Sequence, residues 1–362
     1  MPNLKIRIGV IGSGRVAQHY RLIFSLGKIK DYVFVGVADT DQQKASDLAK
    51  HWATDSFVDH HQMLSVAKPD LVFVLTPSGM HYEHVKDALL AGSHVLVEKP
   101  AAMTPAQIAE LQTLSEQCGL MLCVGFQNRF NSAMILLKDA VDRQRFGKIV
   151  TATIRLRWCR EQDYYNDGWH GTWQQDGGVI NQQAIHHVDA LRWLLGPIES
   201  VCAITGNRLN HLEAEDTLVS VLRFENGALG TIEATTAARP RDFEASISIV
   251  GEKGYALIGG IALNEIIEWQ FIEKLPEDEL ARDQYSQEVP NGYGLSHNNL
   301  INNVINEIKS GRLLSPVPIE DALATTEFVH ALYASDEDHG WVRLSGKPLS
   351  LRLGVEEEYI KN

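Results

Sequence analysis

The sequence predicts an α/β chain in two parts. Residues 1–125 form a doubly wound parallel sheet, and residues 126–362 an α+β domain whose large sheet is mostly antiparallel. Three observations carry this. A glycine-rich turn lies between an apolar strand and a helix near the start. Helical and strand patterns then alternate to about residue 125. Beyond it, strands of period 2 follow one another with few helices between.

Lys5–Ile11 reads as a buried strand, and Gly12-Ser13-Gly14-Arg15-Val16-Ala17 follows it as a G-x-G-x-x-A fingerprint. Gly12 makes the tight turn, Gly14 lets a pyrophosphate approach the backbone, and Ala17 lets helix and strand pack closely. The helix Val16–Leu26 opens with free N–H groups and a positive dipole end. Gly12, Ser13, Gly14, Arg15 and Val16 are therefore the expected phosphate cradle of a Rossmann-type dinucleotide site. The next strand, Tyr32–Ala38, ends in Asp39, placed to accept from ribose hydroxyls. A carboxylate there repels a 2′-phosphate, and Thr40 and Asp41 supply no cation for one, so NAD is expected rather than NADP. The plainer alternative is that Asp39 only begins a turn.

Ala45–Trp52 reads as a helix and Leu71–Leu75 as a strand buried on both faces. That strand ends in Thr76-Pro77-Ser78 and leads into a helix containing His81, His84, Val85, Ala88 and Leu89. Ligands of open α/β sheets sit at the carboxyl ends of the strands. Thr76, Pro77 and His81 are thus expected beside the nicotinamide or its ribose, and His84, one turn on, at the surface. His94–Val97 ends in Glu98-Lys99-Pro100, which adds Glu98 and Lys99 to the expected contacts and offers a candidate cis X-Pro bond. Thr104-Pro105-Ala106-Gln107 starts a helix that Gly119 ends. Leu120–Val124 is the last strand of this part, and Gln127 lies just past its end.

In the second part Val150, Ala152, Ile154, Leu156 and Trp158 share one strand face, and Thr151, Thr153, Arg155 and Arg157 the other. Leu218–Glu225, Asn226-Gly227 and Ala228–Thr235 read as a hairpin with a type I′ turn. Phe243–Val250 and Tyr255–Ile258 continue the meander. Residues 273–290 read as an acidic loop, Asn298–Ser310 and Ile319–Ala334 as amphipathic helices, and Trp341–Leu351 as a closing strand.

Between these strands lies Asp176-Gly177-Gly178, followed by an apolar helical pattern through Ile180, Ala184, Val188 and Leu191. Gln182, His186 and Asp189 stand at i, i+4 and i+7, on one helix face. An imidazole that titrates near neutrality can take a hydroxyl proton, and a lysine at a strand end can hold the oxygen. Lys99, His186 and Gln182 are the candidate catalytic residues. Alternatives stay open: a satisfied histidine between helix and sheet, a turn lysine, or the register of Gln183 and His187 one residue on.

A net charge of −13 argues against nucleic acid as a partner. The four cysteines form no C-x-x-C pair, so neither a disulfide framework nor a metal site is expected. No apolar signal region or 18-residue apolar run is present, so a cytoplasmic protein with a small-molecule substrate is expected.

Together the G-x-G-x-x-A start, Glu98-Lys99-Pro100 and Gly177-Gly178…His186-x-x-Asp189 resemble the glucose-fructose oxidoreductase / inositol dehydrogenase (Gfo/Idh/MocA) family. The resemblance covers nearly the whole chain. It implies a Rossmann domain, an open-faced sheet domain that often forms a dimer or tetramer contact, and Lys99 and His186 lining the reacting carbon. Many members carry Asp four residues before the histidine, where this chain has Gln182. Arg155-Leu156-Arg157-Trp158-Cys159-Arg160, Tyr164-Tyr165, Trp169-x-Gly171-Thr172-Trp173, Asn181-Gln182-Gln183, Glu215-Asp216 and Ile232-Glu233-Ala234-Thr235-Thr236 look similar to UDP-N-acetylglucosaminuronate 3-dehydrogenases of surface-polysaccharide synthesis. That likeness implies substrate contacts from Arg155, Arg157, Arg160, Tyr164, Tyr165, Trp173 and Asn181. The same arginines could instead pair with the chain's own carboxylates, and the tryptophans could be core. Other readings are a dehydrogenase of a free sugar or inositol, and a catalytically silent NAD-binding sensor.

Overall fold

The structure is a computed structural model that describes residues 5–355. The chain divides into two compact units. Unit 1 holds the residues up to Gln127 and Leu295–Leu323; unit 2 holds Asn128–Gly294 and the residues from Ala324 on.

In unit 1 the strands are β1 (Ile6–Ile11), β2 (Tyr32–Ala38), β3 (Ser56–Phe57), β4 (Leu71–Val74), β5 (His94–Val97) and β6 (Leu122–Val124). All pair in parallel, in the order β3-β2-β1-β4-β5-β6. This is the doubly wound order, with its switch point between β1 and β4. The helices are α1 (Arg15–Ser25), α2 (Gln42–Trp52), α3 (His60–Ala67), α4 (His81–Leu90) and α5 (Pro105–Cys118). Helices pack on the sheet and bury its central strands: Ile8, Val10, Leu71, Val72, Phe73 and Val74 have no accessible surface. Each such side chain contributes roughly 1.5–3 kcal/mol of burial.

The capping box at Thr104 and Gln107 forms as the sequence implies, and Gly119 ends α5 in the left-handed region. The short β3 and α3 had no clear signal, because two strand residues and two helical turns are too few to show a period. The helix His297–Ser310 belongs to unit 1, not to the second part that the alternation pattern assigned it to. It packs on α1, and its His297 lies edge-on to His19 and Tyr20, with ring centroids 4.9 and 5.2 Å apart.

Unit 2 opens with α6 (Ser132–Asp142) and β7 (Ile149–Arg157), followed by α7 (Gln162–Tyr165), α8 (Val179–Gln182) and α9 (Ile185–Leu195). Then come β8 (Ile198–Gly206), β9 (Thr217–Phe224), β10 (Leu229–Thr235), β11 (Glu244–Gly251), β12 (Gly254–Gly259), β13 (Glu265–Phe271) and β14 (Val342–Arg343). The sheet order is β13-β12-β11-β7-β10-β9-β8-β14. Only β7 and β10 run parallel; the other neighbours are antiparallel. α9 packs on β7 and β11, against the face that buries Ala152, Ile154 and Leu156.

Three local readings change. The β9–β10 turn is not type I′, since only Gly227 has positive φ (+86°). Gly227 N donates to Phe224 O and Phe224 N to Ala228 O, which closes a three-residue loop. Asn226 keeps ordinary φ because its side chain is used elsewhere, donating to Leu195 O and accepting from Ala228 N. Within 273–290, Pro276–Leu280 and Ala281–Tyr285 are short helical turns. The closing strand shrinks to Val342–Arg343, because Leu344–Gly346 turns away as a 3₁₀ segment.

Candidate active site

In unit 1 the candidate cofactor residues lie at the carboxyl ends of β1, β2, β4 and β5. Gly12 sits at φ +97°, and a Cβ there would stand 2.8 Å from the Leu75 backbone, so the turn admits only glycine. Gly14 is the N-cap of α1, with no side-chain cap and open space where its Cβ would be. The Ser13 hydroxyl is buried without a partner among the described residues. Uncapped amides, a buried hydroxyl and space for an anion form a phosphate cradle. Asp39 Oδ2 accepts from Ser13 N at 2.7 Å, and Oδ1 from Asp41 N at 2.9 Å. Asp39 therefore braces the loop while its carboxylate keeps lone pairs for ribose hydroxyls. Arg15 and Val16 form the first turn of α1. These residues fit NAD.

At the next strand end the structure corrects two expected contacts. His81 is buried, with Nε2 2.8 Å from Thr76 O and Nδ1 2.6 Å from Pro100 O. It ties the β4 end to the Lys99–Pro100 turn, whose peptide bond is cis, so its ring is committed to backbone rather than to a cofactor. Burial lowers the His81 pKa against the pull of the two carbonyls. The Glu98 side chain likewise turns inward, where Oε1 accepts from Tyr20 Oη at 2.9 Å and faces His297 Nε2 at 3.2 Å. A Cβ on Gly125 would come within 3.2 Å of that carboxyl. Lys99, half-buried, follows directly. Thr76 turns its hydroxyl to His84 Nδ1 at 3.0 Å. His84 is thus buried rather than superficial, and desolvation brings its pKa down to about 4. Pro77 remains half-buried at the β4 end, and Gln127 is buried just beyond β6.

In unit 2 the candidate substrate residues begin at Gly177 and Gly178. Gly177 has φ +75°. A Cβ on Gly178 would stand 1.9 Å from Glu215 Oε2. Glu215 caps α8: its backbone O accepts from Val179 N at 2.9 Å and Oε1 from Ile180 N at 3.1 Å. Tyr333 Oη donates to Glu215 Oε1 and accepts from Gly178 N, both at 3.0 Å. Burial pushes the Glu215 carboxyl up to about 8.

The single helix implied by the apolar pattern is interrupted. Ala184 N reaches back five residues to Val179 O at 2.8 Å, a π-type turn that separates α8 from α9. Gln182, His186 and Asp189 accordingly do different things. Gln182 Nε2 donates to Asp176 Oδ1, while Asp176 Oδ2 accepts from Gly171 N at 2.7 Å. Asp189 is buried and pairs bidentately with Arg129, at 2.6 and 2.8 Å, and accepts from Thr325 Oγ1 at 3.1 Å. Asp189 is therefore an anchor of α9, not part of a reactive polar face. His186 is 9% accessible and His187 1%. Both ring nitrogens of His187 lack partners among the described residues, and desolvation lowers its pKa to about 4. Gln183 Nε2 donates to Tyr164 Oη at 3.3 Å. His187 is therefore a buried neutral ring of the core.

Several expected substrate contacts move. Arg155 and Arg157 lie on the sheet face opposite α9, because alternate residues of β7 point to opposite sides. Arg157 pairs with Glu233 at 2.6 Å and Glu244 at 2.8 Å, and Arg155 lies 4.0 and 3.9 Å from the same carboxylates. They belong to a cross-strand charge network. Trp173 is core, edge-on to Tyr333 at 5.1 Å and under Arg352. Tyr165 Oη pairs with Thr236 Oγ1 at 2.7 Å, and Asn181 Nδ2 donates to Asp176 O at 2.7 Å. Both are buried supports. Arg160 pairs with Asp242 at 2.9 Å and also lies over Tyr164, 5.6 Å from the ring centroid. Tyr164, beside Gln183, and Arg160 stay half-buried near α8. The sequence assigns no site role to Asp176, Glu215 or Tyr333. Asp176 opens the glycine motif, but nothing local shows which partner its carboxylate takes.

Comparison with known proteins bears on both halves. Residues 6–126 match the family described as "Oxidoreductase family, NAD-binding Rossmann fold", and residues 134–257 the GFO/IDH/MocA C-terminal domain. D-glucoside 3-dehydrogenase of Escherichia coli is 31% identical over 281 residues, 71% of this chain and 78% of its own length. Myo-inositol 2-dehydrogenase of Thermotoga maritima is 27% identical over 257 residues, 69% and 74% of the two chains. The WlbA dehydrogenase of Chromobacterium violaceum, solved with NADH and UDP-GlcNAcA, superposes with a TM-score of 0.87 at 33% identity, covering 95% of this chain and 97% of that one. Its Bordetella pertussis counterpart, with the same ligands, gives 0.85 at 34% identity, covering 94% and 97%.

Proposed function

The chain belongs to the GFO/IDH/MocA oxidoreductases, NAD-dependent dehydrogenases of sugars and inositols, and on that premise we propose that it oxidises the 3-hydroxyl of a UDP-linked N-acetylamino sugar uronate, in a surface-polysaccharide route. The observation that carries this reading is the likeness, over nearly the full length, to two dehydrogenases solved with NADH and UDP-GlcNAcA. The amide of Gln182, tied to Asp176, adds support. It cannot relay a proton as a carboxylate would, so it positions a hydroxyl.

Bound NAD supplies the hydride acceptor. His186 takes the hydroxyl proton as general base. Lys99 donates a hydrogen bond to the same oxygen and stabilises its developing negative charge. The Asp39-braced glycine loop holds the pyrophosphate and ribose. Asp189, through Arg129, fixes the helix that carries His186.

A second reading, oxidation at C3 of a simple glucoside, is favoured by the D-glucoside 3-dehydrogenase relative and by the commitment of Arg157 to Glu233 and Glu244. NADH formation from UDP-GlcNAcA, a methyl glucoside and myo-inositol separates the two. The proposal expects kcat/KM for UDP-GlcNAcA to exceed the others by at least about 100-fold, roughly 3 kcal/mol of transition-state binding. A preference for the glucoside overturns it.

A further inference from the structure

Unit 1 carries a group of side chains that the dehydrogenase chemistry does not use. Asp59 is the N-cap of α3, and His60 and His61 are its first two residues. Asp59, His60 and His61 each bring one ligand atom within 4.8 Å of the others. Asp87, from α4, turns Oδ2 toward both rings, 2.9 Å from His60 Nε2 and 3.7 Å from His61 Nε2. The two imidazole rings have centroids 4.0 Å apart and planes tilted by 35°.

We propose that His60, His61 and Asp87 bind one divalent transition-metal ion of the zinc class and so clamp α3 to α4. A hydrogen bond from His60 to Asp87 accounts for one ring only. It leaves unexplained why His61 leans on the same oxygen. Ligand atoms held at 2.0–2.2 Å around a tetrahedral zinc stand roughly 3.3–3.5 Å apart, and the two nitrogen–oxygen separations straddle that value. Two imidazoles and a carboxylate suit zinc, nickel or cobalt better than magnesium or calcium, which prefer all-oxygen shells. The His61 side chain is 63% exposed, which leaves a path for the ion and room for water to complete its shell. Behind the site, the His84 ring meets His60 edge-on at 4.7 Å and bonds Thr76 Oγ1. That packing fixes the His60 ring, as groups behind a ligand usually do, and joins the site to the β4 strand end.

The test is calorimetric titration of zinc chloride into the full chain, stripped by chelator and free of any affinity tag. One equivalent is expected to bind the unaltered protein. Affinity is expected to fall at least about tenfold in His61→Ala and in Asp87→Asn and to be unchanged in His211→Ala, an exposed histidine elsewhere. His61 is exposed enough that its removal spares the fold, and equal NAD binding by all variants verifies that. No binding at about 100 µM zinc, a Kd far weaker than a built zinc site gives, overturns the proposal. So does equal binding by the unaltered protein and His61→Ala.

Discussion

Gln182 donates its side-chain amide to Asp176, whose other oxygen takes the Gly171 amide. The carboxylate stands six residues before the amide in sequence, and the π-type turn after α8 leaves Gln182 free to face it. Gln182→Asp would oppose two carboxylates in a buried setting and drive a proton onto one of them. We expect kcat/KM to fall about 10–100-fold with NAD affinity unchanged. Steady-state kinetics and NAD fluorescence titration measure the two; undiminished kcat/KM would show that the pair does not position substrate.

Lys99→Met and His186→Asn should each lower kcat by at least about 100-fold, while the glycine loop and Asp39 still hold NAD. Single-turnover measurement of NADH absorbance separates the chemical step from binding. Full turnover in either variant would remove that residue from the reaction.

Gly178→Ala brings a Cβ onto the Glu215 carboxyl. The contact cannot relax cheaply, because Glu215 also holds Val179, Ile180 and Tyr333. A loss of about 3 kcal/mol or more is expected, read from the urea midpoint. A loss below 1 kcal/mol would mean that the Glu215 cap is mobile.

The Glu215 carboxyl is raised to about 8 from the ordinary 4.5 by burial. A raised folded-state pKa stabilises the protonated form. Its contribution to stability is therefore complete below pH 4.5 and is lost as pH rises through about 8. Glu215→Gln should flatten the fall in melting temperature between these limits. An unchanged slope would place the pH dependence in other groups.

Held neutral by burial, the His81 ring has a single N–H and donates to one of Thr76 O and Pro100 O, so removing it unpairs one carbonyl. His81→Ala is expected to cost about 1–3 kcal/mol of stability. It should also lower kcat more than it raises KM for NAD, because the turn it holds carries Lys99. His81→Gln, which can refill one bond, should recover part of kcat. Equal kcat in all three proteins would confine His81 to stability.

The sequence alone determined most of the cofactor unit. Its signals are local: a glycine turn between strand and helix, apolar β-branched strands, a capping box, an acid at the end of β2. Each rests on backbone geometry that a few neighbouring residues dictate. It also marked the Lys99–Pro100 bond as a candidate for the cis form that it takes. Tertiary structure decided what the polar side chains do, because their partners lie far away in sequence. Arg157 meets Glu233 and Glu244 only through sheet register, and Asp189 meets Arg129 only once α9 is docked. His81 finds its carbonyls across two strand ends. Glu215 becomes a cap through the fold of β9 and the long C-terminal helix. Buried charges and polar groups take whatever partner removes their desolvation cost, and one-dimensional spacing does not reveal which partner the fold will bring.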